Sequence, residues 1–317
     1  MKEKKRFINA AVVQDPPVFL NLKATIEKVE KIMKQAAKEE TDIIVFPETW
    51  LPCYPVWIDS SPNAAIWGHQ PSKSLFKVLY KNSIEVPGDE LVKLLSLAKK
   101  YKMYAVIGIN EVEKGTIYNS LLYLDKDGRN YTLHRKLVPT YTERMVWGRG
   151  DGTGLKVHNT EFGVLGGLIC WEHWMPLTRS YMHSFNEVIH AAVWPSVHDV
   201  HLLASRHYAF EGRTFVAAAG TCLTKGDILE GWKSLRLKSE PGIELLNALP
   251  GKDNEVIMCG GSTIIAPDAT LLIKQNFESP GIFYARIDTE RIIEEKINLD
   301  TDGHYSRPDI FRLDVKF

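Results

Sequence analysis

Three side chains in this sequence have the types and local settings that nucleophilic chemistry needs. Cys170 closes the apolar run FGVLGGLIC (162–170), and the chain turns at once into Trp171, Glu172, His173, Trp174, Met175 and Pro176. A strand end that turns so sharply holds a thiol at the lip of a sheet, and the backbone N–H groups of such a turn point at whatever the sulfur attacks. Glu48 closes a second short apolar run, TDIIVFPE (41–48). Pro47 forces the residue before it into an extended conformation, so the carboxylate projects from the strand's C-terminal edge. Its neighbours Phe46, Trp50, Leu51 and Tyr54 would strip water from it and raise its pKa toward that of a general base. Lys136 lies in HRKLVPTYTERMVWG (134–148), a Pro-containing apolar segment that also carries Glu143, Arg144 and Trp147 and does not resemble a solvated face. A free thiol, with pKa ~8.5, is only slightly ionised at neutrality and needs an adjacent base or cation. Glu48 is the candidate for that base.

Other clusters carry less. Glu172 and His173 beside Cys170 suggest a cysteine–histidine dyad, but such dyads are assembled from distant segments and no partner context is present. His198, Asp199, His201 and His207 match no zinc spacing. GRGDGTG (148–154) lacks the ending of a phosphate-binding loop and reads as a flexible turn near the site. Cys53, Cys222 and Cys259 read as structural, and Glu211 and Arg213 as an ion pair with each other.

The elements that must position these groups alternate between helix and strand. Strands are expected at 7–14, 41–48, 103–113, 162–170, 187–196, 214–221 and 281–288, with hairpins over 117–136 and 260–275. Helices are expected at 22–40, 89–102, 176–185, 200–213 and 289–299. Residues 54–75 and 225–254 read as irregular, and 300–317 as an extended tail. About a dozen strands exceed one comfortable open sheet, so two packed mixed sheets flanked by helices are expected. The 317 residues show no linker or repeat and are read as one domain spanning 1–317. Apolar content of 44% and charged content of 25% are those of a globular chain. The 39 basic residues balance the 39 acidic ones, which argues against nucleic acid or an anionic membrane as partner. Four cysteines in a chain this long suit a reducing, cytoplasmic setting. The basic N-terminus lacks the long apolar stretch of a signal peptide, and nothing approaches a membrane span.

FPET (46–49), HRKLVPTYTER (134–144), CWEHWMP (170–176), HYAFEGRTFV (207–216) and GHYSRPD (303–309) together resemble the nitrilase branch of the carbon–nitrogen hydrolase superfamily. The resemblance runs over nearly the whole chain. It implies a four-layer α-β-β-α sandwich, with Glu48, Lys136 and Cys170 as the catalytic triad and Glu143 as a second glutamate beside the lysine. It implies hydrolysis of an organic nitrile to the carboxylic acid and ammonia through thioimidate and thioester intermediates, with no cofactor and no metal. Trp171-Glu172 after the cysteine and PTYTERMVWG after the lysine are nearer to nitrilases than to amidases. An amidase or carbamoylase is the alternative, as is a cyanide-degrading nitrilase. Tyr54, Trp57, Trp147, Trp171, Trp174 and Trp194 lie in or near these motifs and suggest an aromatic pocket, hence aromatic or arylaliphatic nitriles. The resemblance also implies homodimers paired through the helices at 176–185 and 200–213, growing into spirals, with the tail at an interface.

Overall fold

The computed structural model describes residues 5–317; the basic residues 1–4 of the N-terminus lie outside the described residues. In chain order the elements are β1 (Phe7–Val13), α1 (Leu22–Ala36), β2 (Ile43–Val45), α2 (Trp57–Ser60), α3 (Gln70–Lys81), α4 (Asp89–Tyr101), β3 (Tyr104–Glu113), β4 (Thr116–Leu124), β5 (Tyr131–Arg135), β6 (His158–Thr160) and β7 (Gly163–Ile169). There follow α5 (Pro176–His183), β8 (Ile189–Val193), α6 (Asp199–Gly212), β9 (Phe215–Ala219), β10 (Cys222–Thr224), α7 (Lys225–Ser234), α8 (Ile243–Asn247), β11 (Val256–Cys259), β12 (Thr263–Ile265), β13 (Ile282–Asp288) and α9 (Glu290–Glu295).

Two mixed sheets form the centre. One has the order β13-β1-β2-β3-β4-β5 and the other β12-β9-β8-β7-β6, while β10 and β11 make a separate ribbon. Each sheet has parallel strands in its middle, β1-β2-β3 in one and β7-β8-β9 in the other, with antiparallel neighbours outside. The sheets pack face to face with helices on their outer faces. Alternation along β1 shows why: Ile8, Ala10 and Val12 enter the core between the sheets, while Ala11 and Val13 join Val29, Ile32 and Met33 of α1 on the other face. Strands buried on both faces read as continuous apolar runs. The four-layer α-β-β-α expectation therefore holds.

Several local expectations do not. The stretch 54–75 contains α2 and the first turns of α3, which starts with Pro71 in its first turn and buries Leu75, Val78 and Leu79. Residues 225–254 contain α7 and α8. Thr224 and Asp227 form a capping box at the start of α7. Gly231 lets α7 press against Phe19, where a Cβ would fall 2.6 Å from its backbone nitrogen. The outer arm of the 260–275 hairpin is one bridge, Ile265 with Leu271. Arg213 does not pair with Glu211. Its guanidinium donates to the carbonyls of Leu299 and Pro267 and lies 3.6 Å from Glu295, while Glu211 accepts from Arg179. A buried arginine needs several acceptors, and these two carbonyls, which lie outside the helices and strands, provide them. No helix among the described residues is long and apolar enough to cross a membrane.

Candidate active site

The parallel strands β2 and β7 both end at one edge of the sandwich, and the residues after them meet there. Glu48 follows β2, and its N–H lies 3.4 Å from the carbonyl of Trp194, just beyond β8 of the other sheet. Gly108 on β3 makes room for this crossing: a Cβ there would sit 2.2 Å from the Pro47 carbonyl and 2.7 Å from the Glu48 Cα. Lys136 follows β5, its N–H donating to the Asn119 carbonyl of β4 at 2.8 Å. Cys170 follows β7 and opens a 3-10 turn, Cys170–Trp174, with a φ of 51°. Thr49 (φ 45°) and Tyr141 (φ 47°) are also left-handed, so all three segments bend sharply where they deliver a side chain. Such conformations cost about 1–3 kcal/mol each and persist where the surroundings over-determine them.

The four predicted groups converge. Glu48, Glu143 and Cys170 each place a polar atom within 4.8 Å of the others. Lys136 fills the centre, its Nζ donating to Glu48 Oε1 at 2.9 Å and to Glu143 Oε2 at 2.7 Å. The cluster's positive charge is thus this ammonium. Glu143 caps its own turn by accepting from the Thr140 N–H at 2.7 Å, and its Oε1 accepts from the Tyr54 hydroxyl at 3.3 Å.

All four side chains are buried. Burial pushes the Glu48 carboxyl up, to about 7, against the pull of Lys136. Burial alone would lower the Lys136 ammonium, but Cys170, Glu48 and Glu143 outweigh it and hold its pKa up. Burial also raises the Cys170 thiol, and Glu48 adds to this, so the sulfur rests protonated. The Trp171 N–H beside it works in the opposite direction, lowering the thiol's pKa, but does not outweigh burial.

Sequence reasoning missed three partners. Asn119 Nδ2 donates to Glu48 Oε1 at 2.6 Å. With Lys136 it occupies that oxygen and leaves Glu48 Oε2 buried without a hydrogen bond. Glu172 accepts from the N–H of Ile169 and of Leu137, both at 2.8 Å, and is 2.9 Å from His134 Nε2. It therefore clamps the cysteine turn to the lysine segment. A polar residue inside an apolar strand, as Asn119 and His134 are, was the available signal. His173 forms no dyad with the thiol; its Nδ1 faces the Cys170 carbonyl at 2.8 Å. The GRGDGTG loop packs along the lysine strand, with the Gly150 N–H donating to the Lys136 carbonyl at 2.8 Å.

The expected pocket aromatics are scattered. Tyr54 borders the cluster. Trp171 is 44% exposed, and its ring lies 6.4 Å from that of the half-buried Trp174. Trp57 is buried against Phe19, and Trp147 against Tyr54. Trp194 is buried and stacked on His173. Beside Tyr54 opens a hollow of about 180 Å³ lined by Asp59, Pro195, His198, His201 and Met258 among others.

Two mixed sheets packed face to face, with a thiol, an ammonium and two carboxylates at their common edge, are the architecture of hydrolases that cleave non-peptide carbon–nitrogen bonds. The carbon-nitrogen hydrolase family model matches residues 9–296, and the chain belongs to that family. Within it, the chain is 32% identical over 312 residues to a bifunctional nitrilase/nitrile hydratase of Nicotiana tabacum, covering 98% of this chain and 86% of that protein. It is 35% identical over 307 residues to an aliphatic nitrilase of Sinorhizobium fredii, covering 96% and 94%. The fold is matched by a carbon-nitrogen hydrolase of Helicobacter pylori, with a TM-score of 0.70 at 20% identity over 96% of this chain and 97% of that one.

Proposed function

We propose that this protein hydrolyses small organic nitriles to the carboxylic acid and ammonia, with Cys170 as nucleophile. The observation that carries the reading is the free Oε2 of Glu48, an unpartnered acceptor in a buried cluster that also holds a protonated thiol and an ammonium. Oε2 takes the thiol proton as sulfur bonds to the nitrile carbon, and that proton passes to the nitrile nitrogen, giving a thioimidate. Water adds to the thioimidate carbon with Glu48 as base. The tetrahedral species expels ammonia and leaves a thioester. A second water releases the acid and restores the thiol. Lys136 and the Trp171 N–H are the candidates to stabilise the charge that develops on the reacting atoms, with Glu143, bonded to Lys136 at 2.7 Å, orienting it. Expulsion of sulfur in place of ammonia would release an amide.

The nitrile assignment rests on the nitrilase relatives and on the cluster. It is tested by scoring ammonia, acid and amide from a panel of nitriles and the matching amides, with Cys170→Ala as control. Turnover of amides alone would make the protein an amidase. The aromatic or arylaliphatic preference expected from the tryptophans competes with a second reading. The similarity to an aliphatic nitrilase favours compact nitriles instead. A higher kcat/KM for phenylacetonitrile than for propionitrile would restore the aromatic reading.

Self-association is part of the same proposal. Leu177 on α5 and Leu203 on α6 are 70% and 60% exposed, on the helices expected to pair. Tyr305, Ile310 and Phe311 of the tail line a hollow with Leu177 and Tyr181.

A further inference from the structure

Next to the Cys170 turn lies a row of buried titratable groups that the reaction does not use. His173 Nδ1 is 2.8 Å from the Cys170 carbonyl, and its Nε2 is 3.1 Å from His190 Nε2. His190 Nδ1 is 2.9 Å from Glu187 Oε1, and the Tyr208 hydroxyl donates to Glu187 Oε2 at 2.5 Å. Both imidazoles are fixed by stacking, His173 on Trp194 at 4.8 Å and His190 on Tyr208 at 3.7 Å between ring centres. The row has space made for it. A Cβ on Gly166 of β7 would fall 1.5 Å from Glu187 Oε1.

The direction of these bonds follows from their ends. A carbonyl only accepts, so the His173 proton is on Nδ1. Its Nε2 then accepts, which places the His190 proton on Nε2. His190 Nδ1 must accept in turn, so the donor is a protonated Glu187. Burial acts the same way at each member: it lowers His173 to about 3, pulls His190 well down, and raises Glu187 to about 8.

We propose that Glu187, His190 and His173 form a one-way hydrogen-bond chain that holds the Cys170 carbonyl in its left-handed turn and thereby positions the thiol and the Trp171 N–H. The three are positioning residues. The proposal rests on the reading of Cys170 as nucleophile. The groups facing Glu187 are His190 of β8, Tyr208 of α6, His183 of α5 and Tyr123 of β4. Those facing the two histidines are Glu172 and Arg179, with His183 also facing His190. When Glu187 loses its proton the chain loses its first donor, so turnover declines as pH rises through about 8.

The test compares Glu187→Gln, Glu187→Leu and His173→Phe in the full protein. It reads kcat and KM for a turned-over nitrile, the pH profile of kcat, and the rate of Cys170 alkylation by iodoacetamide. A glutamine amide donates to His190 and accepts from Tyr208, so Glu187→Gln keeps kcat within about threefold and loses the alkaline decline. Glu187→Leu and His173→Phe lower kcat at least tenfold at all pH, with KM within twofold, and slow alkylation in parallel. Persistence of the alkaline decline in Glu187→Gln, or equal kcat and alkylation rates in Glu187→Gln and Glu187→Leu, overturns the chain. The Glu187→Gln profile decides even if the other two variants fail to fold. Turnover retained in Cys170→Ala would instead remove the nucleophile reading on which the chain depends.

Discussion

Glu48 divides its work between its two oxygens. Oε1 is tied to Lys136 and Asn119, and Oε2 is the oxygen that moves protons in the mechanism we propose. Each Oε1 bond favours the ionised form, and burial opposes them. Removing Asn119 tips the balance toward the acid. Asn119→Leu is expected to move the acidic limb of the kcat/KM profile, set near 7 by Glu48, to higher pH. It should lower turnover at pH 7 by about tenfold, read from initial rates between pH 5 and 9. Glu48→Gln should remove that limb altogether. It should cost at least the loss of about 10²–10³ seen when a single transition-state donor is deleted.

Among the elements, the segment that follows β2 lies so close to its parallel neighbour β3 that no side chain fits at Gly108. Gly108→Ala drives a methyl into the Pro47 carbonyl. It is expected to cost about 3 kcal/mol, the upper part of the usual range for overpacking. The check is the urea midpoint at unchanged m-value, together with a fall in turnover as Glu48 is displaced. The central strands were legible because both faces of each sheet are covered, so they read as unbroken apolar runs. The ends of β2 and β7 were legible too, because Pro47 and the Cys170–Pro176 turn break those runs. Helix α7 was not: Gly226 and Gly231, which let it lie close to its neighbours, remove the periodic apolar face that marks a helix. For Asn119, His134, Glu172 and the Glu187–His190–His173 row, the polar residues stand out in their segments but their pairing does not, because each partner is supplied only by tertiary structure.

For the whole molecule, the exposed leucines of α5 and α6 set an expectation about size in solution. A Leu177→Asp/Leu203→Asp double variant should elute as a smaller species than the parent in size-exclusion chromatography with light scattering. A parent that itself elutes at monomer mass would remove the proposed self-association, and a larger mass unchanged in the variant would remove these helices from it. Every reacting group proposed here sits inside a wall to which both sheets contribute, and the wall carries two carboxylates against a single ammonium. A nitrile arrives uncharged and meets no electrostatic barrier there. The acid it becomes is an anion, and beside the buried carboxylates of Glu48 and Glu143 it is repelled by like charge. Catalysis and discharge of the spent molecule would then share one set of charges, and accumulated acid should be a feeble inhibitor.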